Sequence, residues 1–307
     1  MRIRTYALAL NRADVMFRTG IHFFKPRLPQ GQGLKAAGRI ESLGPEVTGL
    51  AIGDAVSVIP AFPVPDYPLH GELVLAPARA VVKHPERLSF SEAAALWMAY
   101  STAYGGLIDI AGLRAGETVV IPAASSSVGL AAIQIANLVG ATPIALSRTR
   151  DKTDLLTRHG AANVITTGTE DVTERLEAIT QGAGYDVLFD PVGGPLFGEL
   201  ASAAALYGRV ILYGALSSEL TPLPALTMLQ KRLTIRGYDV VEVIGDDTRL
   251  AKAVVFINIG VQTGALTPTV AATMEFADIA DAYRFLENHD HAGKVVINVP
   301  QGHDQAP

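Results

Sequence analysis

The stretch TVVIPAASSSVGLAAIQIANLVGATPIALS, residues 118–147, decides the fold. It contains no Asp, Glu, Lys or Arg, and its length alone would allow it to cross a lipid bilayer. Pro122, the serines at 125–127, Asn137 and Pro143 interrupt it with polar and chain-breaking residues, which argues against a membrane span. We interpret it as a strand, a tight turn, a helix and a second strand, because parallel strands covered on both faces are uniformly apolar.

Strands and helices continue to alternate after this stretch. We predict strands at 118–122, 142–147, 164–166, 187–190, 209–213 and 233–236, and helices at 128–139, 151–159, 172–180 and 196–206. A helix capped by Ser91 precedes them. This alternation predicts an α/β fold with a doubly wound parallel sheet.

The first ninety residues have a different pattern, with short strands predicted at 38–43, 54–60, 72–75 and 80–83. Four prolines between residues 60 and 68 predict an irregular loop. This part therefore predicts a small all-β barrel or sandwich. Near the C-terminus a helix is expected at 278–287 and a strand at 294–299.

Composition excludes several classes of protein. The 307 residues include no cysteine, so the chain has no disulfide, no thiol nucleophile and no thiolate metal site. The net charge of −5 removes the electrostatic basis for binding nucleic acid. Residues 1–10 lack the apolar region of a signal peptide, so a cytoplasmic protein without a membrane partner is expected.

The turn between the first two elements of residues 118–147 has the small residues of a dinucleotide fingerprint. At the fingerprint spacing the three positions are Ala124, Ser126 and Gly129. A helix N-terminus at this turn would direct free N–H groups at a pyrophosphate. The alternative is a serine-rich cap on an ordinary buried helix.

The end of the second strand indicates which nucleotide would bind. It reads Ser147-Arg148-Thr149-Arg150-Asp151-Lys152, without the acidic residue at the strand tip that binds the ribose hydroxyls of NAD. A basic cluster suits a 2′-phosphate, so NADPH is favoured over NADH. The alternative is a solvated basic helix start, which the helix dipole would disfavour.

Several short segments occur together in one order along the chain. They are Asn11-Arg12-Ala13-Asp14, Ala36-Ala37-Gly38, Gly53-Asp54, AASSSVGLAAIQ at 123–134, Gly160-Ala161, Asp190-Pro191-Val192-Gly193-Gly194, Tyr213-Gly214 and Gly293-Lys294-Val295-Val296. Through them the sequence resembles the medium-chain dehydrogenase/reductase superfamily, in its zinc-free quinone oxidoreductase branch.

The resemblance implies a GroES-like, mostly-β catalytic domain built from residues 1–92 and 254–307, and a Rossmann domain at 93–253. It implies a cofactor, NADP(H), in the cleft between them, and reduction of quinones or α,β-unsaturated carbonyls. A homodimer is also expected. Relatives have further strands before the segment that begins here at Arg2, so the small domain is expected to be N-terminally truncated, with a sheet edge left unpaired or refilled.

The resemblance also assigns roles to individual residues. It places Arg148 and Lys152 at the 2′-phosphate, with Ser147 beside them, and assigns Lys294 to the cofactor as well. Ser126, Ser127, Val128 and Gly129 match the pyrophosphate turn, and Tyr213, Gly214 and Ala215 match the strand end beside the nicotinamide. Asn11 and Asp14 match the substrate side, and His22 falls where relatives often carry a tyrosine proton donor. Lys35 stands where relatives usually have glutamate.

Alternatives remain for the catalytic residues. His22 is either the donor to the developing enolate or a surface loop residue. Asn11 either contacts substrate or satisfies backbone groups in a turn, and Asp14 either orients Asn11 or forms an ion pair. No metal site is expected, since zinc would need cysteine ligands in this superfamily, and His289, Asp290 and His291 are interpreted as a solvated turn.

Three functions fit these observations. The first is an NADPH-dependent reductase. The second is a protein that binds the nucleotide without turnover because its catalytic domain is incomplete. The third is a zinc-free alcohol dehydrogenase.

Overall fold

The computed structural model describes residues 1–22, 24–288 and 291–301, so His289 and Asp290 lie outside the described residues. The chain divides into two compact units. Unit 1 comprises Met1–Ala99 and Ile244–Pro307, and unit 2 comprises Tyr100–Val243. The sequence-based boundaries, at 92/93 and 253/254, differ from these by seven and ten residues.

The described strands are, in chain order, β1 (Arg2–Ala9), β2 (Ala36–Ser42), β3 (Ala55–Val58), β4 (Leu73–Leu75), β5 (Val81–Lys83), β6 (Thr118–Ile121), β7 (Thr142–Ser147), β8 (Asn163–Thr166), β9 (Tyr185–Asp190), β10 (Ala204–Leu212), β11 (Thr234–Gly237), β12 (Val270–Glu275) and β13 (Lys294–Asn298).

The described α-helices are α1 (Arg12–Arg18), α2 (Phe90–Tyr104), α3 (Ser127–Leu138), α4 (Thr153–Arg158), α5 (Val172–Thr180), α6 (Leu196–Ser202), α7 (Ala225–Lys231), α8 (Val241–Ile244), α9 (Asp247–Thr263) and α10 (Ile279–Glu287). Short 3-10 turns occupy Ala78–Ala80, Arg150–Lys152 and Phe276–Asp278, and a π-helical segment, Gly105–Ile110, follows α2. Within the described part of the chain, no helix is both long and apolar enough to cross a membrane.

Unit 1 is organised around one mixed sheet in the order β12-β13-β1-β2-β3-β5, with β4 pairing β1. Strand β1 pairs with β2 on one side. On the other side its N-terminal residues pair with β4 and its C-terminal residues with β13. Described strands therefore flank β1 on both sides.

The prediction that the first ninety residues are all-β was wrong at α1. This helix begins after Asn11, whose backbone N–H donates to Asp14 Oδ2 at 2.7 Å, and the Asp14 carboxylate thereby caps the first turn. Seven residues are too few for a clear helical period in the sequence. Helix α9 and strand β12 were also missed, and the outer face of α9 includes exposed apolar residues such as Val255 and Ile259.

Unit 2 contains six parallel strands in the order β11-β10-β9-β6-β7-β8. This order confirms the predicted doubly wound sheet, and it reverses between β6 and β9, the position where such sheets bind ligands at their carboxyl ends. Val120, Ile144 and Leu188, which are register partners on one face of the sheet, form a buried core cluster with helix residues such as Phe197.

Two predicted element boundaries need correction. Helix α2 is capped by Ser89 rather than Ser91, because Ser89 and Glu92 exchange hydrogen bonds as a capping box, whereas the Ser91 hydroxyl donates to Asn298 Oδ1. The helix predicted at 196–206 ends at Ser202, and β10 begins at Ala204. The β10–β9 register shifts between Ala204 and Arg209, so the first residues of β10 give no regular strand pattern in the sequence.

Candidate functional site

The turn between β6 and α3 is tight and built from small residues. Ala123 adopts a left-handed conformation, with φ of 48°, and Ala124 is fully buried. Ser126 caps α3, since its hydroxyl accepts from the Gly129 N–H at 3.0 Å. The first helical N–H groups, those of Ser127 and Val128, have no acceptor within the helix, and both residues are partly exposed. Such a helix start can receive an anion.

Gly129 is the position where the turn requires glycine. A Cβ placed there would lie 2.5 Å from the carbonyl oxygen of Ala124 and 2.6 Å from its Cα, both backbone atoms. Glycine therefore allows α3 to pack closely on the end of β6, which is the role of the third glycine in a dinucleotide fingerprint. Ala124 and Ser126 occupy the other two places without any such clash, so a single glycine is sufficient here.

The carboxyl end of β7 carries three unpaired basic side chains. Arg148 and Arg150 are exposed, Lys152 is half-buried, and none of the three forms a hydrogen bond or ion pair through its side chain with another described residue. Asp151 stands among them, and the Thr149 hydroxyl, which donates to it, lowers the pKa of its carboxyl. Ser147 is buried at the strand tip, where its carbonyl accepts from the Thr167 N–H at 2.8 Å.

The carboxyl ends of β9 and β10 are in close contact. Tyr213 stacks on Phe189 with ring centroids 4.0 Å apart, and burial raises the pKa of its hydroxyl well above the usual value. The phenol oxygen has no hydrogen-bond partner among the described residues. Gly214 packs so closely that a Cβ there would lie 2.7 Å from the Pro191 carbonyl oxygen, and the next residue, Ala215, is exposed.

Asp190, at the end of β9, holds the loop that follows this strand. The site predicted from the sequence did not include it. Its buried carboxylate accepts from the backbone N–H groups of Val192 at 2.7 Å and Gly193 at 3.1 Å, while burial raises its pKa. The Gly194 N–H donates to the Thr221 hydroxyl at 2.8 Å. These bonds fix the loop at the point where the strand order reverses.

Unit 1 contains a buried polar cluster, defined here as Asn11, Asp14, Lys35, His70 and Lys294. Asn11 is at its centre: its side-chain amide donates to Asp14 Oδ2 and to the Ala9 carbonyl, each at 3.2 Å, and its Oδ1 accepts from Lys294 Nζ at 2.8 Å. Both amide protons and the carbonyl of Asn11 are therefore engaged. Asp14 orients Asn11, one of the two roles expected for it.

The two lysines of the buried polar cluster interact with one another. Burial lowers the pKa of Lys294 to about 8. Burial, and then the neighbouring Lys294 ammonium, lower the pKa of Lys35 well below its usual range. Burial also lowers the pKa of His70, whose Nδ1 lies 3.4 Å from the Tyr283 hydroxyl.

His22 lies in the loop after α1 and is half-buried. Its Nδ1 accepts from the Phe24 N–H at 3.1 Å, and its ring lies edge-on to Phe17 and stacked on Phe24. That bond places the proton of the neutral imidazole on Nε2. The ring is thus held as a donor within a loop, a geometry that fits either of its two expected roles.

The structure brings together some of the sequence-predicted site residues and not others. Asn11, Asp14 and Lys294 share one cluster in unit 1, and Lys294 contacts Asn11 there, whereas the residues of the nucleotide turn lie in unit 2. His70 and Tyr283 were missed, and Lys35 was noticed only as an unusual residue. Among the described residues, no group of three or more His, Asp or Glu side chains could hold a metal ion.

Comparison with known proteins gives matches over both parts of the chain. Residues 1–86 match the alcohol dehydrogenase GroES-like domain, and residues 127–256 match the zinc-binding dehydrogenase domain. A quinone oxidoreductase-like protein 2 homolog of Nematostella vectensis is 31% identical over 304 residues, which are 98% of this chain and 82% of that protein.

Two solved structures are similar in fold and sequence. One, described as an NAD-dependent alcohol dehydrogenase, has a TM-score of 0.89 and 30% identity over 97% of this chain and 91% of its own. The other, a quinone oxidoreductase of Pseudomonas syringae pv. Tomato DC3000, has a TM-score of 0.86 and 26% identity over 97% of this chain and 90% of its own.

Proposed function

Because this chain belongs to the medium-chain dehydrogenase/reductase superfamily, we propose that it is an NADPH-dependent oxidoreductase that transfers hydride to a quinone or an α,β-unsaturated carbonyl compound without zinc. The observation that carries the cofactor choice is the group of cations at the carboxyl end of β7, Arg148, Arg150 and Lys152, which form no ion pair within the part of the chain that the structure describes. The comparisons support the oxidoreductase family as such.

The residues present fit a dinucleotide. The close approach of Gly129 to Ala124 lets α3 begin directly at the end of β6. The N–H groups of Ser127 and Val128 at that helix start have no acceptor within the helix and would be available to a pyrophosphate. When bound, the nicotinamide supplies the hydride. The protein then has to bind and orient the two reactants and to exclude water. Tyr213, Gly214 and Ala215 would border the nicotinamide at the end of β10.

The choice of NADPH over NADH rests on charge. A 2′-phosphate adds negative charge at the tip of β7, where guanidinium and ammonium groups that form no hydrogen bond or ion pair with other described side chains can form charge-assisted hydrogen bonds to it. The acid that would bind the ribose hydroxyls of NAD is not at the strand tip, since Ser147 and Arg148 occupy it. The similar structure described as NAD-dependent therefore does not decide the cofactor of this chain.

On the substrate side, the proposal gives Asn11 and Asp14 a positioning role. With both amide protons of Asn11 committed, these residues hold the start of α1 rather than donate to a substrate oxygen. His22, held as an Nε2 donor, remains the candidate that stabilises the developing enolate oxygen. Zinc independence is supported by the lack of cysteine in the sequence.

Steady consumption of NADPH with a panel of quinones and enones tests the proposed reaction. We expect continuous turnover with at least one acceptor and a slower rate with NADH. Nucleotide binding without turnover for every acceptor would instead favour a binding protein, the second candidate. Oxidation of alcohols as the only activity with NADP would identify a zinc-free alcohol dehydrogenase.

We further propose a homodimer and a cytoplasmic location. Strand β11 ends the sheet of unit 2, and unit 2 also has strongly exposed leucines, with Leu220 at 92% and Leu229 at 78%. Exposed leucines and an open strand edge each favour association with a second copy. The lack of cysteine supports the location.

A further inference from the structure

The turn at the end of β8, residues 166–170 and here called the β8 turn, lies against the tip of β7. The two strands are parallel neighbours, and Ser147 and Thr166 are their last register partners. Beyond them, the Thr167 N–H donates to the Ser147 carbonyl at 2.8 Å, and the Thr167 hydroxyl donates to the same oxygen at 3.4 Å. The β8 turn is therefore attached to the strand end that carries Arg148.

Hydrogen bonds inside the β8 turn hold it in one conformation. The Thr166 carbonyl accepts from the N–H groups of Thr169 at 3.0 Å and Glu170 at 2.9 Å. In the other direction, the Thr166 N–H donates to Glu170 Oε2 at 2.7 Å, and this bond lowers the pKa of the Glu170 carboxyl. Glu170 Oε1 forms an ion pair with Arg175 at 2.8 Å. The Glu170 side chain thus closes the turn on itself.

Gly168, in the middle of the β8 turn, packs directly on the backbone of Arg148. A Cβ placed at Gly168 would lie 2.7 Å from the Arg148 carbonyl oxygen. That oxygen belongs to the main chain and cannot swing aside as the end of a flexible side chain can. Because the peptide unit is planar, displacing the oxygen also moves the Cα atoms of Arg148 and Thr149. A side chain at position 168 would therefore move Arg148.

The placement of Arg148 matters because a guanidinium recognises phosphate oxygens through a fixed planar geometry. We propose that the β8 turn is a positioning element for cofactor choice. Gly168 lets the turn pack on the Arg148 carbonyl, Glu170 keeps the turn in shape, and Arg148 is thereby aimed at the 2′-phosphate. This inference rests on the proposed NADPH dependence. Gly168 and Glu170 are positioning residues, since both act through Arg148.

Fluorescence titration with NADPH and NADH tests this role, with the ratio of the two dissociation constants as the readout. G168A should raise the dissociation constant of NADPH by at least about fivefold and leave that of NADH within about twofold of the wild-type value. G208A is the matched control, because a Cβ there would lie 3.1 Å from the Ala205 carbonyl oxygen at the start of β10. It should lower the melting temperature and keep the wild-type ratio.

Two substitutions of Glu170 keep the test decisive if G168A does not fold. E170A and E170Q remove the same negative charge, but the amide oxygen of glutamine can still accept from the Thr166 N–H. E170A should therefore lower the preference for NADPH by at least about threefold relative to E170Q. A merely structural role of Glu170 would lower the melting temperature of E170A without changing the ratio.

The outcomes separate this inference from the proposed function. A wild type that prefers NADPH, with the same preference in G168A and E170A, would overturn the positioning role and leave the NADPH dependence intact. A wild type that binds NADH as tightly as NADPH would overturn the NADPH dependence and the positioning role together.

Discussion

Lys294 combines three properties that together determine how stability depends on pH. It is buried, it donates to Asn11, and burial lowers its pKa from 10.5 to about 8. Lys35 beside it has a pKa lowered by the same cause. In the unfolded chain both lysines keep their protons until about pH 10.5, so from pH 8 upward the unfolded state binds more protons than the folded state.

The free energy of unfolding should therefore rise between pH 8 and 9.5. Burial raises the pKa values of Tyr185, Tyr213 and Tyr283, which reverses the slope above about pH 10 and closes the window. Urea unfolding at pH 7.5, 8.5 and 9.5 measures the effect. K35M should show a smaller rise and K252M the wild-type rise; a flat or falling profile for the wild type would contradict the assignment.

At the scale of elements, the packing of α3 on β6 depends on Gly129. G129A would place a methyl group against backbone atoms of Ala124, so α3 must shift. We expect a loss of roughly 1–3 kcal/mol in the free energy of unfolding, together with weaker NADPH binding. G198A is the matched control: that helical glycine in α6 has nothing within 4 Å of the added Cβ, and alanine there should stabilise by up to about 1 kcal/mol. Equal effects of the two variants would contradict the close-packing role.

The elements that the sequence predicted well are those whose pattern is decided locally. Strand β7 and helix α5 have the predicted bounds, because a charge-free run and a clear polar–apolar period define them. Helix α1 was missed because its cap comes from Asp14, inside the helix itself. The start of β10 was predicted as helix because Ala204 follows α6 almost directly and the strand register shifts soon afterwards.

In the candidate site, too, the residues that lie close together in the sequence could be predicted and those that lie far apart could not. The nucleotide turn is one contiguous segment, so spacing and residue size were enough to predict it. The buried polar cluster combines the start of α1, strand β13, the residue before β2 and the loop before β4, which are far apart in the sequence. No local pattern indicates that Lys35 and Lys294 meet, so the cluster needed the three-dimensional structure.

At the scale of the whole molecule, the exposed leucines predict association between two copies. Leu226 and Leu229 of α7 are 68% and 78% exposed. Replacing both by glutamate puts negative charges on the exposed face of this helix. We expect the wild type to elute as a dimer and the double variant as a folded monomer in size exclusion with light scattering. I52E, at a 68% exposed position of unit 1, is the control and should remain dimeric. A wild type that is monomeric at micromolar concentration would remove the homodimer from the proposal.

Binding of NADPH and NADH to the R148A/K152A variant tests the proposed cofactor, and with it the proposed function, most directly. Loss of two charge-assisted contacts to a 2′-phosphate should raise the dissociation constant of NADPH by at least about tenfold in a fluorescence titration. The dissociation constant of NADH should stay within about twofold of the wild-type value. R158A, an exposed arginine at the end of α4, should change neither. Equal weakening of both nucleotides, or a wild type that prefers NADH, would contradict the 2′-phosphate site at the end of β7.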